Sequence, residues 1–223
     1  MMNGAKIHLS TQEMELVTNK EWLFLKRSIL TKVEDLFGGL QSGFRNRLEK
    51  ENFIFNSSLK NHGGKISRGE NYKGLPYRIL DYPAMFSKEH IFAIRTLFWW
   101  GNFFSISLHL SGKYLSLNRN PTGSFSYLRE HNFRIHSGKD EWDHDLDEPG
   151  YLATGELKFE EFQEILQHKY FKISQKINLN EFDKAPDLLE EAFGEIMDYL
   201  KISCRQSGET NLSPVIPTTG FDL

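Results

Sequence analysis

Residues 91–110 read IFAIRTLFWWGNFFSISLHL. Two runs rich in β-branched and aromatic residues, Ile91 to Trp100 and Phe103 to Leu110, flank Gly101-Asn102. A Gly-Asn pair suits a two-residue type II′ turn, so the spacing predicts an antiparallel hairpin. With that loop length the register follows by counting outward. Trp100 opposes Phe103, Phe98 opposes Ser105, Thr96 opposes Ser107, and Ile94 opposes His109, all on one face. The other face carries Ala93, Arg95, Leu97 and Trp99 with Phe104, Ile106, Leu108 and Leu110. It is nearly all apolar and is expected to meet helices.

Helical patterns lie on both sides of this β-rich centre. From about Asn19 to Phe37, apolar residues recur at steps of three and four: Trp22, Leu25, Ile29, Val33 and Leu36. Ser10 and Glu13 fit a capping box for a short preceding turn. Gly38-Gly39 is expected to end or kink the helix, since each glycine costs about 1 kcal/mol there. Leu40, Phe44 and Leu48 resume the stripe to about Lys50. A second helix is expected from Ala185 to Ser203, with Pro186 in its first turn and a stripe of Leu189, Phe193, Ile196 and Leu200. A shorter one is expected over Lys158 to Gln167. Strands are expected over 75–82 and 171–179. In the latter, Lys172, Ser174, Lys176 and Asn178 alternate with apolar residues and read as a wet face. Weaker strand candidates cover 113–117, 124–128 and 133–137. The fold class expected is α+β: a mainly antiparallel sheet centred on the 91–110 hairpin, packed against long N-terminal and C-terminal helices. Residues 1–205 read as one domain and 206–223 as a tail.

Bulk composition excludes several classes. The chain has 223 residues, of which 39% are hydrophobic and 26% charged, too apolar for a disordered chain. No run approaches the roughly 20 apolar residues of a membrane span, so no membrane partner is expected. The net charge of −3 lacks the basic excess of a nucleic-acid binder, so none of that is expected either. One cysteine, Cys204, cannot form an internal disulfide, and Met1 to Thr11 lacks an apolar h-region. The expected location is cytoplasmic.

Two stretches carry chemistry. On the hairpin face, Thr96, Phe98, Trp100, Phe103, Ser105, Ser107 and His109 mix rings with small hydroxyl residues. That is the composition of a ligand pocket, or of a sheet face covered by another element. The expected activity is binding of a small molecule or peptide. Arg95 falls on the opposite face in this register. It either snorkels at an edge, pairs with a carboxylate, or binds an anion. The second stretch is Asp140 to Glu148, in which six of nine residues are acidic, with His136 and His144 close by. A metal-dependent hydrolase would use His136, Asp140, Asp143 and His144, and only this alternative implies a divalent cofactor. The calcium-loop pattern fails, because Glu148 stands where glycine is needed and Thr154 where glutamate is needed. An exposed acidic loop, or a docking surface for a basic partner, accounts for the same residues. Trp142 within it either anchors the loop or marks a contact. Finally, 61–74 is glycine-rich and contains Lys65, Arg68 and Lys73. It reads as a flexible loop, a lid or an anion contact.

Overall fold

The computed structural model describes residues 7–50 and 63–204. A seven-stranded sheet occupies the centre, in the order β1-β2-β3-β4-β7-β5-β6. Its strands are β1 (Lys65–Tyr72), β2 (Leu75–Phe86), β3 (Ile91–Trp99), β4 (Phe103–Ser111), β5 (Arg134–His136), β6 (Tyr151–Ala153) and β7 (Tyr170–Asn178). Every pairing is antiparallel. The helices are α1 (Thr11–Thr18), α2 (Lys20–Lys50), α3 (Pro121–Glu130), α4 (Phe159–Ile165) and α5 (Ala185–Cys204). The architecture is α+β, with helices from both ends of the chain packed on the sheet. The tail from 206 lies outside the described residues.

The 91–110 hairpin forms, but its loop has three residues. Trp99 pairs with Phe103, and the Asn102 N–H donates to the Trp99 carbonyl at 3.0 Å. The Trp100 N–H reaches outward to the Pro76 carbonyl at 3.0 Å, which takes Trp100 out of the β3–β4 ladder. Gly101 closes the loop at φ +73°, a conformation that lacks a steric penalty only for glycine. One residue of slip moves every β3 side chain to the other face. Phe92, Ile94, Thr96 and Phe98 therefore lie with Phe104, Ile106, Leu108 and Leu110 beneath the helices. Ala93, Arg95, Leu97 and Trp99 join Phe103, Ser105, Ser107 and His109 on the opposite face.

Helix α2 runs through Gly38-Gly39 without interruption. Its buried residues Leu30, Val33, Phe37, Leu40, Phe44 and Leu48 cross the glycine pair in one stripe, and this packing outweighs the local propensity cost. Phe44 stacks on Phe193 of α5, centroids 4.0 Å apart. Two weak strand candidates are helical instead. Residues 124–128 belong to α3, whose Asn120 cap accepts from the Gly123 N–H at 3.1 Å and whose first turn holds Pro121. Residues 113–117 lie in a 3₁₀ turn, Gly112–Leu117. The glycine-rich stretch is largely the edge strand β1, with Arg68 donating to Glu34 at 2.6 Å. Strand β2 continues past Pro83, because the ladder shifts register between Asp81 and Ala84 where proline has no N–H to give.

Ile106 is fully buried between the sheet and the helices. Ile106→Ala is expected to lower unfolding free energy by about 2–5 kcal/mol in a urea titration. A loss under about 1 kcal/mol would place this side chain outside the core.

Candidate functional site

The register slip assembles two rows of polar residues on the sheet face away from the helices. Across neighbouring strands, Asp81, Arg95, Ser107 and Ser174 form one row, and His109 with Lys172 the next. The supposed wet face of β7 is dry here, since Lys172 and Ser174 are fully buried. Residues 137–150, which connect β5 to β6, lie over them. Two apolar anchors hold this cover: Leu146 and Tyr151 pack with Ile79, Leu97, Trp99 and Phe103 in a second core. Cations of the β1–β2 turn and of β7 receive its acids. Lys73 pairs with Asp145 at 2.8 Å and Glu148 at 2.9 Å, and Lys176 pairs with Asp147 at 2.6 Å. The acidic run is thus docked on this chain's own basic residues, with His144 and Leu146 buried and Asp147 and Glu148 at the surface. Gly138 and Gly150 make the close approach possible. A Cβ at either would stand 2.9 or 3.2 Å from His136 Nε2.

His144 sits between the side chains of Arg95 and Lys172. Arg95 binds Asp81 through two bonds, of 2.7 and 3.0 Å, and its Nη1 points at His144 Nε2 at 2.9 Å. Lys172 Nζ lies 3.2 Å from His144 Nδ1. A guanidinium only donates, so Nε2 is the acceptor and the ring proton is on Nδ1. That proton points at Nζ, which must then accept. Only the neutral amine has a lone pair to do so. Its two N–H groups donate to the Glu141 and Asp143 carbonyls. Two donors and one acceptor meet three partners, so every valence of a neutral amine is used. Burial, followed by the Arg95 charge, pushes the Lys172 amine down to about 7, against the pull of Asp143, Asp140 and Glu141.

The surrounding histidines are neutral too. Burial, then Lys172, which is charged in the acid range where these rings would titrate, and Arg95 hold His144 well below the usual range and push His109 down to about 3. Burial followed by Lys172 lowers His136 to about 4. His109 Nε2 lies 3.0 Å from the Glu141 carboxylate and donates to it. Tyr170 donates its hydroxyl proton to the Gly138 carbonyl, so it accepts from His136 Nδ1–H, 2.6 Å away. Ser107 and Ser174 hydroxyls meet at 2.7 Å. Trp142 lies against Arg95, 5.4 Å from ring to guanidinium, and edge-on to His109. It anchors the cover over the charged pair.

A cavity of about 530 Å³ opens beside this network. Lys88, Lys139, Lys169, His168, Ser111 and Ile91 contribute to its wall, and Tyr170 and Glu141 are shared with the hydrogen-bonded network. Among the described residues, no ion pair engages Lys88, Lys139 or Lys169.

The sequence-derived candidates separate accordingly. Phe103, Ser105, Ser107 and His109 lie on this face. Thr96 and Phe98 are on the helix side, and Trp100 packs at the edge of the main core, because the loop is one residue longer than the turn assumed. Arg95, expected opposite, is central and takes the carboxylate partner Asp81. His136, Asp143 and His144 reach the same region, while Asp140 is exposed and receives the Trp142 N–H at 2.9 Å. Among the described residues no three His, Cys, Asp or Glu side chains gather so as to hold a metal ion. His144 has both nitrogens committed to Arg95 and Lys172. Sequence reasoning missed Lys172, Ser174 and Tyr170. The available signal was Leu146 and Tyr151, apolar residues at and beside an acidic run that need a dry surface to pack against. No helix among the described residues is long and apolar enough to cross a membrane. No family model, curated protein or solved structure matches the chain.

The protonation pattern sets the pH dependence of stability. Lys172 has a folded pKa near 7 against an ordinary 10.5, so between these values the unfolded chain holds a proton that the folded chain lacks. Stability contributed by this site therefore rises with pH across that window, with a slope of up to about 1.4 kcal/mol per pH unit. The histidines act with the same sign below pH 6.5: as pH falls towards 4, the unfolded chain gains protons that the buried rings refuse. Urea midpoints measured from pH 4 to 10 are expected to climb, and Lys172→Met is expected to flatten the portion above pH 7. An unchanged profile in that variant would mean that Lys172 is charged in the folded protein.

Proposed function

We propose that the protein binds a small organic anion in the cavity bounded by Lys88, Lys139, Lys169 and Tyr170. The observation that carries this reading is the three lysines that have no ion-pair partner among the described residues, gathered around a cavity of about 530 Å³. That volume falls in the range of ligand sites, roughly 300–1,000 Å³. Glu89 and Glu141 also line it, so three lysines stand against two carboxylates, a cationic balance that attracts negative charge. The Tyr170 ring and Ile91 supply apolar contact, and Gln167 and Ser111 supply polar groups for orientation.

The hairpin-face residues act in this reading as the floor behind the ligand rather than as its direct contacts. His109 holds Glu141, and His136 holds the Tyr170 hydroxyl. Because these rings stay neutral, they place the two shared side chains without adding charge to the site. Anion binding is then governed by the lysines and weakens as salt is added.

A thermal-shift series with inorganic phosphate, succinate and citrate tests the assignment. At least one is expected to raise the melting temperature in a saturable way. Lys139→Gln combined with Lys169→Gln is expected to weaken that ligand about tenfold or more in calorimetry, with the fold intact. Stabilisation that survives both substitutions would put the anion site elsewhere.

A further inference from the structure

Ten of the twelve large hydrophobic side chains that are exposed among the described residues lie between Ile7 and Ile29. Helix α1 buries nothing. In α2 the first buried residue is Leu30, and the ten residues before it are held to the domain by an ion pair from Lys26 to Glu70 of β1 at 2.8 Å. Within them Trp22, Leu23, Phe24 and Leu25 follow one another, 43 to 64% exposed. Successive helical residues turn by about 100°, so four in a row place apolar groups all round the axis. A helix apolar on all sides is normally a buried one.

We propose that residues 7–29 are the contact surface for a second copy of this chain, paired antiparallel about a two-fold axis. Size is the first argument. At roughly 150–250 Å² for a large side chain, the exposed portions amount to about 1,000 Å², near the roughly 800 Å² per partner of a standard interface. This exceeds the roughly 300–600 Å² of the largest apolar patch on a typical monomer. Charge is the second. The arm begins acidic, with Glu13, Glu15 and Glu21, and ends basic, with Arg27 beside Lys26, whose charge is shared with Glu70 of the same chain. A gradient of this kind opposes itself in a parallel pair and complements itself in an antiparallel one, which is the requirement a two-fold axis imposes. With Lys20 the arm carries three basic and three acidic residues, so it lacks the cationic excess that draws amphipathic helices to anionic lipid.

Sedimentation of the full chain from about 1 to 100 µM should show a concentration-dependent species of twice the 26.0 kDa chain mass. Trp22→Glu with Leu25→Glu should abolish it while leaving the urea unfolding curve of the body in place. Glu15→Arg and Arg27→Glu should each weaken it by about tenfold, and an equimolar mixture of these two variants should recover a heterodimer, because the reversed charges again meet their opposites. A monomer at every concentration would overturn the proposal, as would a dimer indifferent to all four substitutions. Monomer binding to phosphatidylcholine–phosphatidylserine vesicles through Trp22 would assign the arm to a lipid surface instead. Dimerisation only after deletion of residues 205–223 would assign it to the chain's own tail.

Discussion

A guanidinium cannot accept a hydrogen bond, and the site is organised around that fact. Arg95 donates to His144, His144 therefore donates onward, and Lys172 must receive. The chain of donors ends on an amine whose own two protons go to backbone carbonyls of the segment that covers it. The cover closes over a lysine that burial keeps largely neutral above about pH 7. An ammonium in its place would set two donors against each other on one imidazole and leave a charge in a dry layer. Asp81 supplies the one carboxylate that Arg95 needs, so the charge that remains is paired where it stands.

The two faces of the sheet are therefore held by different physics. Under the helices, rings and aliphatic chains interlock: Phe37 against Phe104, Phe171 against Tyr199. Burying each such side chain contributes about 1.5–3 kcal/mol. Under residues 137–150 the layer is polar, and its hydrogen bonds mostly replace those that water offered. The ion pairs of Lys73 and Lys176 lie at the rim, part-exposed, where each contributes about 0–1 kcal/mol. Leu146 and Tyr151 hold the cover down, and the charges set its register. The glycines at 138 and 150 let it settle onto His136.

Helix positions were legible because a stripe at 3.6-residue spacing survives local interruption. Leu30, Phe37 and Phe44 bury in one line whether or not Gly38-Gly39 falls between them. The hairpin was legible as well, and so was the boundary of β7. The register was not, because Gly-Asn serves two-residue and three-residue loops alike, and the choice was made by an outward bond from Trp100 to Pro76 that belongs to a different strand pair. The site was hidden for a related reason. Lys172 and Ser174 alternate with apolar neighbours in the pattern of a solvated edge. What buries them is a segment that composition marks as the most soluble in the chain. Polarity identifies groups that need partners, and those partners can be protein as readily as water.

The connection from Ser111 to Tyr170 has a consequence for how the molecule comes into being. Strands β2, β3 and β4 follow one another with short links, whereas β4 meets β7 only after that long excursion has been closed. Closing a large loop costs entropy before any contact offsets it, so pairings distant in sequence set the pace of folding. Arg95, Ser107 and His109 come from the near side of the excursion, Lys172 and Ser174 from the far side, and His144 from within it. No early meander can contain the network. The neutral lysine thus comes into existence only as the sheet is completed, and a nascent chain carries it as an ordinary charged, soluble residue until the last strand is in place.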